Sequence, residues 1–215
     1  MSKILSYGGG IGSTALLLYK KDEIDEAVFV NHGGDYPHTY EYVKYISQKV
    51  FPITIIKPAV EGFDNLYDYL MAKRIIPSIR YRWCTYKFKI LPIKRYIAER
   101  YQEATVLIGY TYDERHRVRD YKIKGISFEY PFIEDRITRE QAIEIIRENG
   151  VKLPKKSACF FCPFVKKHEL FRLKYEYPHL YHKLKKLHEN CMRQDLTIDF
   201  EQYDKQKTLL EVDAE

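Results

Sequence analysis

Ser6-Tyr-Gly-Gly-Gly-Ile-Gly-Ser-Thr14 decides the fold, because it joins a β-rich run, Lys3 to Tyr7, directly to a helical one, Ser13 to Lys21. At such a junction exposed backbone N–H groups and the helix dipole favour an anion, and glycines let the backbone approach phosphate with no Cβ in the way. Ser13 and Thr14 add hydroxyl donors. A ligand-free turn is the other reading. Gly8, Gly9, Gly10 and Gly12, however, cost more folding entropy than a plain connection warrants. The loop lacks the Gly-Lys-Ser/Thr ending of a P-loop, and it lacks a Gly-x-Gly-x-x-Gly with an acid after the second strand.

Outward from the loop, short β-rich runs alternate with helical ones, which implies βαβ units and a parallel sheet covered on both faces. Ala27 to Val30, Ile53 to Ile56 and Val106 to Tyr110 read as strands. Thr39 to Val50 reads as a helix, with Val43, Ile46 and Val50 at helical spacing. Ile93 to Tyr101 is another, opened by Pro92. The expected fold is therefore α/β, a doubly wound Rossmann-like parallel sheet. Thr138-Arg-Glu-Gln141 is a capping-box pattern and Asn149-Gly150 a stop, which bounds one more helix. A short cysteine-containing loop follows, then a Leu- and Tyr-rich segment from Lys166 to about Leu187, interrupted at Pro178. The expected division is a nucleotide-binding domain over 1–135 and a helical, cysteine-containing extension over 136–215 packed on it.

The 215 residues suffice for a sizeable core, and 45% hydrophobic with 31% charged residues excludes a disordered, collagenous or coiled-coil chain. Lys and Arg total 36 against 30 Asp and Glu; the resulting +6 suits an anionic ligand without specifying nucleic acid. No apolar run approaches the roughly 18 residues of a membrane span. Four cysteines, Cys84, Cys159, Cys162 and Cys191, are too few and too uneven for a disulfide scaffold, and no signal peptide precedes them, so a reducing cytoplasm is expected. The 20 tyrosines suit a core boundary better than a stacking surface.

Cys159-Phe-Phe-Cys162 in a loop between helices has the spacing of a half-site for zinc or an iron–sulfur cluster. A redox or catalytic thiol and small buried hydrophobes are the alternatives. Arg80, Arg82, Lys87 and Lys89 surround Cys84, and arginine forks match phosphate or sulfate oxygens. Past the fourth strand, Arg115, Arg117 and Arg119 flank Asp113 and Glu114, which could hold Mg²⁺ against phosphates. A solvated charged loop is the plain alternative for each. Lys87 and Arg117 are the preferred ligand contacts.

The glycine loop resembles that of the PP-loop, or adenine nucleotide α-hydrolase-like, superfamily, whose loop is Ser-Gly-Gly-x-Asp-Ser. Gly9, Gly10, Ser13 and Thr14 match; Gly8 stands for the first Ser and Gly12 for the Asp. Asn31-His-Gly-Gly-Asp-Tyr-Pro-His-Thr39 resembles the Asp-Thr-Gly-x-Glu-x-Pro-Glu-Thr stretch of the phosphoadenosine phosphosulfate (PAPS) reductase branch, with Asn31 for the leading acid. Arg82-Trp-Cys-Thr85 with Lys87, Lys89 and Pro92, Leu107-Ile-Gly-Tyr-Thr-Tyr-Asp-Glu114 with Arg117, and Ser157-Ala-Cys-Phe-Phe-Cys-Pro-Phe164 resemble three further blocks of that branch, in order.

This resemblance implies a site in which Ser6, Gly8, Gly9, Gly10, Gly12, Ser13, Thr14, Asn31, Gly33, Asp35, Arg82 and Gly109 bind an adenosine nucleotide, ATP or PAPS, while Cys84, Lys87, Asp113 and Arg117 serve catalysis. It also brings Cys84 toward Cys159 and Cys162, with Cys191 as a further thiolate. Such a set suits a [4Fe-4S] cluster, or zinc with a histidine such as His188. The implied chemistry is adenylation with sulfur transfer, or sulfonucleotide reduction, the sulfur donor or acceptor being open. Longer PAPS reductases use a tail cysteine; Thr208 to Glu215 contains none, so a thiol-dependent reduction would use one of the four cysteines. The rival reading is a nucleotide-sensing or nucleic-acid-binding module, with Tyr81 to Arg95 and Tyr110 to Lys124 tracking tRNA or DNA. An oligomer is compatible with either.

Overall fold

The computed structural model of the chain describes residues 1–78, 82–118, 123–193, 195, 198 and 200. Arg80, Tyr81, Arg119 and the tail from Thr208 lie outside the described residues. Five strands, β1 (Ser2–Ser6), β2 (Glu26–Val30), β3 (Ile53–Ile56), β4 (Ala104–Leu107) and β5 (Ile126–Glu129), form one sheet in the order β3-β2-β1-β4-β5. All four pairings are parallel, with Leu5 opposite both Ala27 and Leu107. The chain runs outward from β1 through β2 to β3, then returns to add β4 and β5 on the other side. That reversal puts a topological switch point between β1 and β4, where an open α/β sheet leaves a crevice beyond its carboxyl ends.

Both faces are covered, which is why the strands read as nearly continuous apolar runs. Leu5, Ala27, Phe29 and Leu107 face a core built with α1 (Ile11–Tyr19) and α2 (Pro37–Lys49). Ile4, Val28, Val30 and Val106 face Ile93 and Ile97 on the other side. α1 buries Ser13, Thr14, Ala15, Leu16 and Leu17 in succession, so it is enclosed on nearly every side. α3 (Leu66–Lys73) follows β3. The helical run expected from Pro92 begins earlier: α4 (Trp83–Thr85) continues through a π-helical turn, Tyr86–Ile90, into α5 (Leu91–Arg100). Pro92 has no N–H for an ordinary helical bond, and the helix adapts by a wider turn in which the Leu91 N–H reaches the Tyr86 carbonyl. Tyr96 and Tyr101 donate to Glu26 at 2.6 and 2.9 Å, tying this helix to the start of β2.

A single-turn helix, α6 (Pro131–Glu134), precedes α7 (Arg139–Glu148), and α7 covers α1. α8 (Lys167–Glu176) and α9 (Pro178–Asn190) divide at Pro178 as expected. The chain forms two compact units, Met1–Leu66 with Trp83–Cys159, and Tyr67–Arg82 with Phe160–Glu215. Thus α7, which the sequence assigns to the C-terminal extension, lies in the sheet unit. In the second unit Leu170, Leu173, Leu180, Leu184 and Leu187 are buried.

Candidate functional site

The glycine loop leaves β1 at the switch point and becomes α1 within four residues. Gly8 donates its N–H to Ser13 Oγ at 3.1 Å, and Ser13 Oγ donates to the Gly10 carbonyl at 3.2 Å, so the serine clasps the loop. Gly10 is the N-cap of α1; neither a side-chain cap nor an acidic residue answers the first-turn amides, which have no partner within the helix. Gly9 sits at φ +67°, in the left-handed region that glycine favours, and a Cβ there would lie 3.0 Å from Thr39 Cγ2.

Gly12, in the place of the family's acid, has a direct structural reason. A Cβ on it would lie 2.0 Å from the Gly109 carbonyl oxygen, and one on Gly109 would lie 2.5 Å from the Gly12 carbonyl oxygen. The loop after β1 and the end of β4 therefore touch backbone to backbone, which closes the base of the crevice. Beneath it Tyr7 and Thr14 share a buried hydroxyl contact of 3.0 Å; burial pushes the Tyr7 phenol well above its ordinary range, and Thr14 offsets part of that.

The turn after β2 supplies the next wall. Asn31 Oδ1 accepts from the Gly33 N–H at 3.1 Å, and Gly33, at φ +74°, leaves no room for a side chain beside Asn65. Asp35 then pairs with Cys159 as an isolated antiparallel bridge, and the Tyr36 N–H donates to the Ala158 carbonyl at 3.3 Å. This segment also passes the loop, since a Cβ on Gly10 would lie 2.8 Å from Ser157 Oγ. The structure thus brings Cys159 to His32, a fully buried residue that sequence reasoning did not single out. Their Nε2 and Sγ atoms are 3.7 Å apart. Burial drives the His32 imidazole down to about 4, although Asp35 opposes that.

The other expected residues are less concentrated. Lys87 pairs with Glu61 at 3.0 Å. Asp113 Oδ2 accepts from the Arg139 N–H at 2.7 Å, at the start of α7, an anchoring contact. Arg117 pairs with Glu114 and lies over the Tyr110 ring, 4.3 Å from its centroid. Ser6 ends β1, and half-buried Cys84 sits in α4. Arg82 belongs to the second unit, where it lies 5.6 Å from the centre of the Phe164 ring.

None of the four cysteines forms a disulfide. Cys84 and Cys159 belong to the first unit, Cys162 and Cys191 to the second. Neither unit by itself gathers three thiolates, so the expected [4Fe-4S] set draws no support from either unit's own geometry. Cys162 borders a cavity of about 470 Å³ within the second unit, together with Phe161, Lys166 and His188. Cys191 is buried at the end of α9, where its sulfur accepts from the Arg193 N–H at 3.4 Å.

Residues 2–131 match the model of the phosphoadenosine phosphosulfate reductase domain, more than half of the chain. The chain belongs to that family. Its fold is similar to that of phosphoadenylyl-sulfate (PAPS) reductase from Candida auris, solved as a phosphate complex, with a TM-score of 0.50 and 15% identity over 74% of this chain and 81% of that one. Two uncharacterized Methanocaldococcus jannaschii proteins are related in sequence. MJ0973 is 26% identical over 83% of this chain, and MJ0066 is 24% identical over 89%. The chain covers only 45% and 41% of their lengths, so it spans less than half of each relative. Among the described residues, no helix is long and apolar enough to cross a membrane.

Proposed function

We propose that this PAPS reductase family member binds an adenosine nucleotide, ATP or PAPS, with its phosphates on the Gly8–Thr14 loop, and acts on it by adenylation with sulfur transfer or by sulfonucleotide reduction. The observation that carries the reading is the closure of Gly12 on Gly109. It fixes the uncapped first turn of α1 against the end of β4 beside the switch point, where neither a side-chain cap nor a first-turn acid occupies the helix amides.

With ATP, a substrate oxygen attacks the α-phosphorus and pyrophosphate leaves into the Gly9–Gly10 cradle; a sulfur donor then displaces AMP. With PAPS, a thiolate attacks the sulfonyl sulfur and adenosine 3′,5′-bisphosphate leaves. In both, backbone amides meet charge developing on the leaving group. Lys87 would exchange Glu61 for a ligand oxygen, and Arg117 would do the same with Glu114. Cys84 stays a candidate thiol, while the anchoring contact of Asp113 makes it a weaker candidate for Mg²⁺.

Product analysis separates the two reactions: pyrophosphate from ATP in one case, adenosine bisphosphate from PAPS with a dithiol reductant in the other. Neither product, with no binding of either nucleotide, would refute the reading. A tRNA or DNA partner has thinner support, because Arg115 and Arg117 already cover the Tyr112 and Tyr110 rings.

A further inference from the structure

We propose that His32, Asp35 and Cys159 form a mononuclear site for a divalent metal of zinc-like preference, separate from any cluster chemistry and independent of the nucleotide reading. The three residues come from two backbone segments locked together, not from long mobile side chains. His32 and Asp35 straddle the turn after β2, whose course is set by the Asn31 contact and Gly33, and the β-bridge between Asp35 and Cys159 fixes the third ligand against the first two. Their ligand atoms all lie within 4.8 Å of one another, and among the described residues no other group of three or more His, Cys, Asp or Glu does so.

The two distances from His32 suit a tetrahedral ion. Zinc–nitrogen and zinc–oxygen bonds of about 2.0–2.1 Å and a zinc–sulfur bond of about 2.3 Å give tetrahedral edges of about 3.3 Å for N to O and about 3.6 Å for N to S. His32 Nε2 lies 3.3 Å from Asp35 Oδ2 and 3.7 Å from Cys159 Sγ. The donor chemistry points the same way. One imidazole, one carboxylate and one thiolate match zinc, whereas magnesium and calcium take oxygen and iron–sulfur clusters take mainly thiolates.

A second observation points to a cation. Asp35 is 6% exposed, and its Oδ2 forms no hydrogen bond, although His32 Nε2 lies 3.3 Å away. A buried carboxylate oxygen with no formed hydrogen bond is costly, and an ion between the three groups answers it. The Gly34 N–H lies 3.2 Å from His32 Nδ1, which leaves the ring proton on Nε2. Metal uptake therefore displaces that proton: it moves to Nδ1, and the Gly34 amide turns away, a rotation that the Gly33-Gly34 pair permits. Three protein ligands leave a fourth position for water or a substrate oxygen.

The same distances would also suit a metal-free trio in which His32 Nε2–H donates to the thiol, and cobalt separates the two. The chelator-treated, reduced chain is titrated anaerobically with Co²⁺ and then Zn²⁺. The proposal expects saturation at one ion per chain, tetrahedral d–d absorption, a thiolate-to-cobalt charge-transfer band, and displacement of both by zinc. Cys159→Ser should abolish the charge-transfer band, Asp35→Asn should weaken zinc binding about tenfold or more, and Cys84→Ser and Cys162→Ser should bind as the wild type does. The wild-type titration decides even where a variant folds poorly. No charge-transfer band in the wild type overturns the site, as does a band that needs Cys84 or Cys162, or iron with sulfide held through Cys159. Loss of nucleotide binding would leave these results untouched.

Discussion

Gly12 carries the largest single-residue constraint in the loop. An alanine there would ordinarily favour the helix by about 1 kcal/mol, but its methyl would sit 2.0 Å from a carbonyl oxygen, so either the loop or the end of β4 must move. Overpacking of this kind costs about 1–3 kcal/mol. Gly12→Ala is expected to lower the urea midpoint of the sheet unit and weaken nucleotide binding, whereas unchanged stability would contradict the contact. The glycine pattern was visible in the sequence; its reason was not, because Gly109 lies nearly a hundred positions away. His32 was hidden in the same way, 127 residues from the cysteine it meets. A second residue-scale expectation concerns His188. Burial holds it at about 4 against an ordinary 6.5, and its Nδ1 accepts the Ile198 N–H at 2.9 Å. Between these values the unfolded chain takes a proton that the folded ring refuses. His188 therefore costs nothing above pH 6.5 and costs stability as pH falls, by up to about 1.4 kcal/mol per pH unit. Urea unfolding at pH 7 and pH 5 should show that loss, reduced in His188→Gln; an equal pH response in both proteins would contradict it.

Among the elements, α7 is the one whose attachment can be tested most simply. Thr138 accepts from the Gln141 N–H at 3.4 Å, Gln141 returns a bond to the Thr138 N–H at 2.8 Å, and Asp113 adds the Arg139 amide. Thr138→Ala should cost about 1 kcal/mol, and its effect should couple to that of Asp113→Ala, since both contacts hold the first turn of the same helix. Equilibrium denaturation of the two single variants and the double variant checks this. An Asp113→Ala protein of unchanged stability but lost Mg²⁺ dependence would return that residue to the catalytic group. The capping box was plain in the sequence because it is local. By contrast, β5 was not read as a strand: Ile126-Ser-Phe-Glu129 is a short edge strand, and only its pairing with β4 distinguishes it from loop. Likewise Pro92 marked a helix start, whereas the chain carries helical structure through it by widening one turn.

At the scale of the molecule, alternating strands and helices announced a doubly wound sheet, and ordered motif blocks announced the family, because both are written in consecutive residues. The grouping of side chains was less legible. The four cysteines read as one set by type, whereas the residues that the fold gathers around Cys159 are a histidine and an aspartate. The sheet order, with its reversal beside β1, explains why the glycine loop, the turn after β2 and Gly109 converge although they are far apart in sequence. Calorimetric titration of the chain with ATP and with PAPS, repeated on Gly9→Val, tests that convergence most directly. One-to-one binding of at least one of the two nucleotides, lost in the variant, is the expected result. No heat from either nucleotide, or binding unaffected by a valine at position 9, would contradict it.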